Sequence, residues 1–229
     1  MSLPVTVVGI GADGWDGLSP RAQRAVTDAE VLMGSTRQLG LVPESAAKRV
    51  PWPTPMVPAL PALFDEHRDR RVCVLASGDP MFHGVGVTLC RVLGPDRVRV
   101  IAHPSSVSLA CARLGWPLHE VPTVSLVNRP VATLAPELRA GARVLVLSND
   151  QDTPAAVADL LREGGFGGSR MVLLEQLGGP TERLHDGTAD LRWFGVLGPD
   201  APADDALDAL VADAARAVAA TLTRPAGTA

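Results

Sequence analysis

The chain has 229 residues, 46% of them hydrophobic, and its 21 Lys and Arg against 25 Asp and Glu give a formal net charge of −4 at pH 7. This length can bury a sizeable core in one large domain or two small ones. The mild acidity and the lack of a basic tract argue against a nucleic-acid binder. No run reaches the roughly 18 apolar residues of a membrane span, and no basic region precedes the first apolar run. We therefore expect a cytoplasmic protein without a membrane segment or signal peptide.

The residues that could hold a metal are scattered. The cysteines Cys73, Cys90 and Cys111 form no C-x-x-C pair, and the five histidines lack ligand spacing. We predict buried, reduced thiols and no metal site. The basic residues are almost all arginine, Lys48 being the only lysine. Because arginine holds carboxylates and phosphates with two parallel hydrogen bonds, an anionic small-molecule substrate is compatible with this composition.

The predicted elements alternate between strands and helices. Val5–Val8 is a continuous apolar run typical of a strand buried on both faces, and Ser19-Pro20 is typical of a helix start. In chain order the elements are strand Val5–Val8, helix Arg21–Ala29, strand Val31–Met33, an irregular proline-rich stretch Val50–Pro61, helix Leu60–Arg68, strand Arg71–Ala76, helix His83–Leu93, strand Val98–Ile101, helix Ser106–Leu114, strand Val121–Leu126, helix Pro136–Ala140, strand Arg143–Leu147, helix Pro154–Glu163, strand Met171–Glu175, strand Thr181–Asp186 with a turn at Asp186-Gly187, and helix Asp204–Ala220. This alternation predicts an α/β fold with a largely parallel sheet.

The alternation is interrupted between Val121 and Pro130 and then restarts. We take this interruption as a domain junction. The predicted division is an N-terminal α/β domain over residues 1–122, a C-terminal α/β domain over 123–222 and a flexible tail over 223–229.

The first loop, in V-T-V-V-G-I-G-A-D-G, has the spelling of a dinucleotide-binding fingerprint. In a dinucleotide fold the helix starts inside the glycine motif, whereas here the helix signal comes later, at Ser19-Pro20. Asp13 and Asp16 in the intervening loop would repel a pyrophosphate. Arg37, after the second strand, could still suit a 2′-phosphate, so an NADP site remains an alternative.

Two further loops follow predicted strands. In A-S-G-D-P-M-F-H-G, Gly78 permits close backbone approach and Asp79 can accept two hydroxyl hydrogen bonds from a ribose. The alternative is an ordinary Asp-Pro turn. The third loop, His103-Pro104-Ser105-Ser106, offers two hydroxyls, which could instead only cap the next helix. Because open α/β sheets bind ligands at their carboxyl edge, three such loops together predict a ligand cleft.

The order of these motifs resembles the tetrapyrrole (corrin and porphyrin) methylases, which use S-adenosyl-methionine. The resemblance covers roughly Leu3 to Ala220. Within the family, the later stretches are most similar to the branch that methylates the corrin precursor precorrin-6Y at carbon 5 in cobalamin biosynthesis. These stretches are G-S-T-R-Q-L (Gly34–Leu39), S-S-V-S-L-A-C-A-R-L-G-W-P (Ser105–Pro117), V-S-L-V-N-R-P (Val124–Pro130) and L-L-E-Q-L-G-G-P-T-E-R (Leu173–Arg183).

The resemblance implies a two-domain fold, with a mainly parallel N-terminal sheet, a mixed C-terminal sheet and the cofactor in the interdomain cleft. The implied cofactor-binding residues are Ala12, Gly78, Asp79, Phe82, Ser105, Ser106, Leu126, Ser148, Asn149, Leu177 and Gly178. Two positions depart from the family pattern. Ala12 replaces a common proline, and Val127-Asn128 stands where His-Gly is expected, which puts an imidazole role there in doubt.

The implied reaction is methyl transfer in which an electron-rich ring carbon attacks the donor methyl in line, so proximity and orientation supply most of the rate. No catalytic triad is expected. Arg37, His83 and Arg129 are candidate anchors for the carboxylates of the tetrapyrrole, although each could be an ordinary surface residue. The resemblance also implies a homodimer, and a partner subunit or fused domain for decarboxylation and a second methylation. The alternatives are methylation at another ring position, an NADP-dependent reductase, or a subunit that only holds the pigment.

Overall fold

The computed structural model of the chain describes residues 3–188 and 217–221. The chain divides into two compact units, Met1–Ser105 and Ser106–Ala229. Each unit is built on its own five-stranded sheet. Within the described residues, no helix has the length and apolar character needed to cross a membrane.

The first sheet is wholly parallel. Its strand order is β3-β2-β4-β1-β5, and every neighbouring pair runs in the same direction. The strands are β1 (Val5–Ile10), β2 (Val31–Gly34), β3 (Lys48–Pro51), β4 (Val72–Ser77) and β5 (Val98–Ile101). Apolar side chains of β1 point alternately to the two faces, so Val8 and Ile10 join one buried cluster while Val5 and Val7 join the other. Burial on both faces explains the continuous apolar run.

Four helices cover this sheet: α1 (Pro20–Thr27), α2 (Thr36–Gly40), α3 (Met56–Glu66) and α4 (Val85–Leu93). The start of α1 agrees with the sequence signal, because the Ser19 hydroxyl accepts a hydrogen bond from the Ala22 amide at 3.3 Å and Pro20 occupies the first helical position. The start of α2 is fixed by a capping box between Ser35 and Gln38. Only Ser35 separates β2 from α2, whereas residues 11–19 separate β1 from α1.

The second sheet is mixed, with strand order β6-β7-β10-β8-β9. Its unit contains α5 (Ser106–Leu114), β6 (Thr123–Ser125), β7 (Arg143–Leu147), α6 (Thr153–Glu163), β8 (Arg170–Glu175), β9 (Arg183–Thr188) and β10 (Ala217–Thr221). β6 is parallel to β7, whereas β10 is antiparallel to both β7 and β8, and β9 is antiparallel to β8. The predicted α/β fold, with a parallel first sheet and a mixed second one, is confirmed.

Several predicted elements were wrong. The stretch Val50–Pro61 is not irregular throughout, because its start completes β3 and α3 begins at Met56. Pro58 falls in the first turn of α3, where backbone N–H groups lack intrahelical partners, so it costs little there. The helix expected at Pro136–Ala140 is instead a 3₁₀ segment, Val131–Glu137.

The end of the described chain also differs from expectation. β9 continues through Asp186 and Gly187, which pair with Val172 and Met171 of β8, so there is no turn between them. Ala217–Thr221, which overlaps the last four residues of the helix predicted at Asp204–Ala220, forms β10 between β7 and β8. Pairing on both sides overrides the helical preference of alanine. Residues 204–216 of that prediction lie outside the described residues.

The contact-based division between Ser105 and Ser106 precedes the predicted junction at residue 122. Helix α5 accounts for the difference. Its Val107, Ala110 and Cys111 pack in one buried cluster with Leu145 and Val172 of the second sheet. The boundary at 122 remains a prediction, and the tail 223–229 lies outside the described residues.

Candidate functional site

The loops that leave β1, β4 and β5 meet at the carboxyl edge of the first sheet. The register pairs Ile10 at the end of β1 with Ser77 at the end of β4, and Val8 with Ile101 at the end of β5. The Gly78 amide donates a hydrogen bond to the Ile10 carbonyl at 3.0 Å. The three loops singled out in the sequence therefore share one edge of a parallel sheet, where α/β enzymes bind ligands.

Two glycines of the first motif are explained by neighbouring protein atoms. A Cβ on Gly9 would lie 2.7 Å from the His103 backbone nitrogen and would also collide with the Gly78 carbonyl oxygen. A Cβ on Gly11 would lie 2.5 Å from Asp13 Oδ1 and 2.7 Å from His103 Cε1. The motif thus allows three loops to pack closely. Because α1 starts only at Pro20, no long helix points its N-terminus at the motif as a dinucleotide site requires.

The Gly78-Asp79 loop has a defined conformation. Gly78 has a φ of 56°, in the left-handed region that glycine enters without strain. Asp79 Oδ1 accepts a hydrogen bond from the Met81 amide at 2.8 Å, and the Phe82 amide donates to the Asp79 carbonyl at 3.0 Å. These bonds form the Asp-Pro turn that the sequence allowed. They use one carboxylate oxygen of Asp79, and Oδ2 accepts no hydrogen bond from the described residues, so it can accept one from a ligand.

An arginine and a glutamine lie beside this loop. Ser77, the last residue of β4, accepts hydrogen bonds at its hydroxyl from Gln38 Nε2 at 2.9 Å and Arg37 Nη2 at 3.4 Å. The half-buried Arg37 is therefore held at the same sheet edge as Asp79. Met81 and Phe82 expose 46% and 37% of their surface next to it, which gives this edge an apolar surface beside a cation.

The predicted residues of the second unit also share one edge. β6 is parallel to β7, and β7 and β8 are both antiparallel to β10, so the loops after β6, β7 and β8 leave the sheet on the same side. These loops hold Leu126, Arg129, Ser148, Asn149, Leu177 and Gly178. Leu126 and Leu177 are buried at 1% and 3% exposure, and Arg129 is exposed.

The loop after β7 is tightly organised. Asn149 Oδ1 accepts from the Asn128 amide at 2.8 Å, and its Nδ2 donates to Asp150 Oδ2 at 2.8 Å. The bond from Asn149, followed by bonds from Thr153 and Asp152, holds the pKa of Asp150 below its ordinary value. Ser148 is 1% exposed, and its buried hydroxyl has no hydrogen bond to any described residue. An unpaired buried hydroxyl is costly, which makes Ser148 a candidate ligand contact.

The loop after β8 is held by hydrogen bonds to the carboxylate of Glu182. The Gly178 amide donates to Glu182 Oε2 at 2.7 Å, and Arg113 Nη2 donates to the same oxygen at 2.9 Å. The Arg113 bond is the largest cause that holds the pKa of Glu182 below its ordinary value. Gly178 has a φ of 82°. This ion pair therefore ties α5 to the turn that contains Leu177 and Gly178.

Backbone strain is concentrated in these loops. Among the described residues, the non-glycine positions with positive φ are His83, Asn128 and Gln176. They lie in the loops after β4, β6 and β8 respectively. Strained backbone is often found at binding and catalytic sites, because the surrounding structure holds a conformation that serves the ligand.

The sequence did not single out the pairing of His103 with Asp13. His103 Nε2 lies 3.4 Å from Asp13 Oδ2 in the first unit. The two residues are far apart in the chain and match no spacing pattern, and the one available signal was that each follows a strand ending at the same edge. In the part of the chain that the structure describes, no three His, Cys, Asp or Glu side chains are grouped to hold a metal ion.

The fold is shared by solved tetrapyrrole methylases. The precorrin-6Y methylase of Archaeoglobus fulgidus matches with a TM-score of 0.67 and 26% identity, over 97% of this chain and 99% of that one. The uroporphyrin-III C-methyltransferase of Thermus thermophilus, solved with S-adenosyl homocysteine, matches with a TM-score of 0.65 over 95% of this chain and 91% of that one. At 22% identity the latter likeness concerns the fold alone. The chain thus has the two-sheet α/β fold of this class of methyltransferases.

The family assignment follows from the sequence match. Residues 4–191 match the family model for tetrapyrrole (corrin/porphyrin) methylases, and the chain belongs to that family. Its class is therefore that of S-adenosyl-methionine-dependent methyltransferases.

Two curated relatives narrow the comparison. The chain is 48% identical over 186 residues to the precorrin-6Y C(5,15)-methyltransferase [decarboxylating] of Mycobacterium tuberculosis, covering 81% of this chain but 46% of that protein. It is 32% identical over 181 residues to the cobalt-precorrin-7 C(5)-methyltransferase of Salmonella typhimurium, covering 79% of this chain and 89% of that protein. The chain spans about half the length of the decarboxylating relatives that it matches.

Proposed function

We propose that the chain transfers a methyl group from S-adenosyl-methionine to carbon 5 of a corrin precursor, precorrin-6Y or its cobalt form, in cobalamin biosynthesis. This proposal rests on the ring position that the names of the two curated relatives have in common. The mycobacterial protein is named for carbons 5 and 15 and for decarboxylation, and the chain matches 46% of it. The Salmonella protein is named for carbon 5 alone, and the chain matches 89% of it. Carbon 5 is the position that both names share.

The chemistry of the first sheet edge suits this donor better than a dinucleotide. S-adenosyl-methionine carries a cationic sulfur and ribose hydroxyls but no phosphate. Asp79 supplies a carboxylate at this edge, and protein atoms fill the space beside Gly9 and Gly11, where a dinucleotide motif would bring its backbone close to a pyrophosphate. We propose that Asp79 Oδ2 accepts the ribose hydroxyls, that Gly78 and Ala12 allow close approach, and that Phe82 and Ser105 line the site. These features argue against the reductase alternative.

In the second unit, we propose that Ser106, Leu126, Ser148, Asn149, Leu177 and Gly178 also bind the cofactor. Ser148 offers a buried hydroxyl that has no hydrogen bond to a described residue. Leu126 and Leu177 are buried just beyond the ends of β6 and β8.

The donor supplies a methyl group on a positively charged sulfur. The role of the chain is to hold donor and acceptor in line and to exclude water, because orientation supplies most of the rate of such a transfer. Arg37, fixed by its bond to Ser77, is suited to anchor a substrate carboxylate. His83 and Arg129 are exposed and are proposed as further anchors. No acid–base triad is part of this proposal.

The longer relatives are named for two further reactions, which this proposal does not assign to the present chain. We propose that methylation at carbon 15 and decarboxylation are carried out by a partner subunit or a fused domain. A homodimer, expected from the family resemblance, and a cytoplasmic location, expected from the sequence pattern, belong to the same proposal. A chain that decarboxylated precorrin-6Y by itself would contradict the division of labour.

The test is incubation of the chain with methyl-¹³C-labelled donor and precorrin-6Y or cobalt-precorrin-7, followed by NMR of the product. A single labelled methyl on carbon 5 is the expected result. Label at another ring position would support the alternative of a different methylase, and binding of the pigment without affinity for the donor would support a holding subunit. Arg37→Ala should raise KM for the tetrapyrrole, whereas the exposed Arg68→Ala serves as a matched control.

A further inference from the structure

One histidine–carboxylate contact joins two of the candidate cofactor loops. His103 Nε2 lies 3.4 Å from Asp13 Oδ2, and the two side chains are 10% and 30% exposed. Asp13 follows Ala12 in the loop after β1, and His103 precedes Pro104 and Ser105 in the loop after β5. The contact therefore bridges loops that hold two proposed cofactor residues.

The glycines of the first motif make room for this pair. A Cβ on Gly11 would lie 2.5 Å from Asp13 Oδ1 and 2.7 Å from His103 Cε1. A Cβ on Gly17 would overlap the Asp13 carboxylate. Asp13 Oδ1 is buried and has no hydrogen bond to a described residue, and the contact of Oδ2 with His103 offsets part of the cost of placing this side chain here.

The ring of His103 is engaged at both nitrogens. Besides the contact of Nε2 with Asp13, Nδ1 lies 3.3 Å from the Pro104 carbonyl oxygen. Each ring nitrogen therefore faces an oxygen atom of the protein. His103 is for this reason a positioning residue, and it acts through the backbone of the two loops.

We infer that the His103–Asp13 pair fixes the loop after β1 against the loop after β5 and thereby sets the shape of the methyl-donor site. This inference rests on the proposed function. It assigns to the G-x-G-x-x-G motif a role that its sequence does not suggest, namely to make room for the contact between His103 and Asp13. Loss of the pair should weaken donor binding, because the loops must then be ordered by the ligand itself.

The test compares substitutions that differ in reach. In His103→Gln the side-chain amide can reach the position of Nε2 and donate to Asp13, whereas in His103→Asn it is too short. We expect His103→Asn and Asp13→Ala each to raise the calorimetric Kd for S-adenosyl homocysteine about tenfold, and the double variant to raise it no further. His103→Gln should stay within about threefold of the wild type. KM for the donor should rise with kcat nearly unchanged.

A matched control is available in the same unit. His67 is 8% exposed and its Nε2 lies 3.5 Å from Glu66 Oε1. It precedes Arg68, whose carbonyl accepts a bond from Leu3 just before β1, at the amino edge of the sheet. His67→Asn should leave the Kd unchanged. Urea unfolding of each variant separates lost binding from lost folding.

The outcomes distinguish a failure of the positioning role of His103 from a failure of the proposed function. If the wild type binds S-adenosyl homocysteine and both His103→Asn and His103→Gln bind it as tightly as the wild type does, the positioning role is overturned while the proposed function stands. The same holds if His67→Asn weakens binding as much as His103→Asn. If the wild type does not bind at all, the proposed function fails and this inference fails with it.

Discussion

Replacement of Gly9 by alanine tests the close packing at the carboxyl edge of the first sheet. Gly9 lies in β1 between β4 and β5. Its added Cβ would lie 2.7 Å from the His103 backbone nitrogen and 3.0 Å from His103 Cβ, and would also collide with the Gly78 carbonyl oxygen. Two of these atoms are backbone, so relief requires displacing the loops after β4 and β5 rather than rotating a side chain.

Overpacking of a close-packed interior typically costs about 1–3 kcal/mol, and a clash against backbone belongs at the upper end of that range. We expect Gly9→Ala to lower the free energy of unfolding by about 3 kcal/mol, measured by urea denaturation, and to raise the Kd for S-adenosyl homocysteine. Gly40→Ala is the matched control, because a Cβ there meets nothing within 4 Å at the end of α2. A Gly9→Ala variant as stable as Gly40→Ala would refute the packing argument.

Three further predictions concern other residues. Arg113 holds the pKa of Glu182 below its ordinary value. The pair therefore stabilises the fold above the pKa of the unfolded glutamate, and this contribution is lost as pH falls through the lowered pKa. Glu182→Gln should flatten the acid side of the Tm–pH curve measured by circular dichroism. Ser148→Ala should leave the urea midpoint unchanged or higher, since it removes an unpaired buried hydroxyl, yet raise the Kd for S-adenosyl homocysteine about tenfold; a lower midpoint would contradict this. Burial raises the pKa of the Cys73 thiol to about 12, so iodoacetamide at about pH 8 should modify Cys73 only in urea, as read by mass spectrometry.

The parallel sheet could be predicted because its signals are local. Continuous apolar runs such as Val5–Val8 and caps such as Ser19-Pro20 reflect burial and hydrogen bonding within a few residues, and both were confirmed. The shared edge of the three loops followed from the rule that parallel strands end on the same side. The expected cofactor residues at that edge remain predictions until binding is measured.

Features that depend on distant residues could not be predicted. Ala217–Thr221 is a strand because β7 and β8 pair with it on both sides, which its alanine-rich sequence does not reveal. The contact of His103 with Asp13 likewise depends on β1 and β5 being neighbours in the sheet, which the chain order does not specify. The glycine motif is ambiguous for the same reason, because glycines indicate that other atoms lie close to the backbone but do not identify those atoms.

The most direct test of the central claim is calorimetric titration of the chain with S-adenosyl homocysteine and, separately, with NADPH. The wild type should bind S-adenosyl homocysteine, and Asp79→Ala should weaken that binding at least about tenfold, as expected for a lost hydrogen bond to a charged group. The exposed Asp69→Ala, whose side chain is 78% exposed, should bind as the wild type does. Binding of NADPH without S-adenosyl homocysteine, or equal binding by Asp79→Ala and Asp69→Ala, would contradict the account.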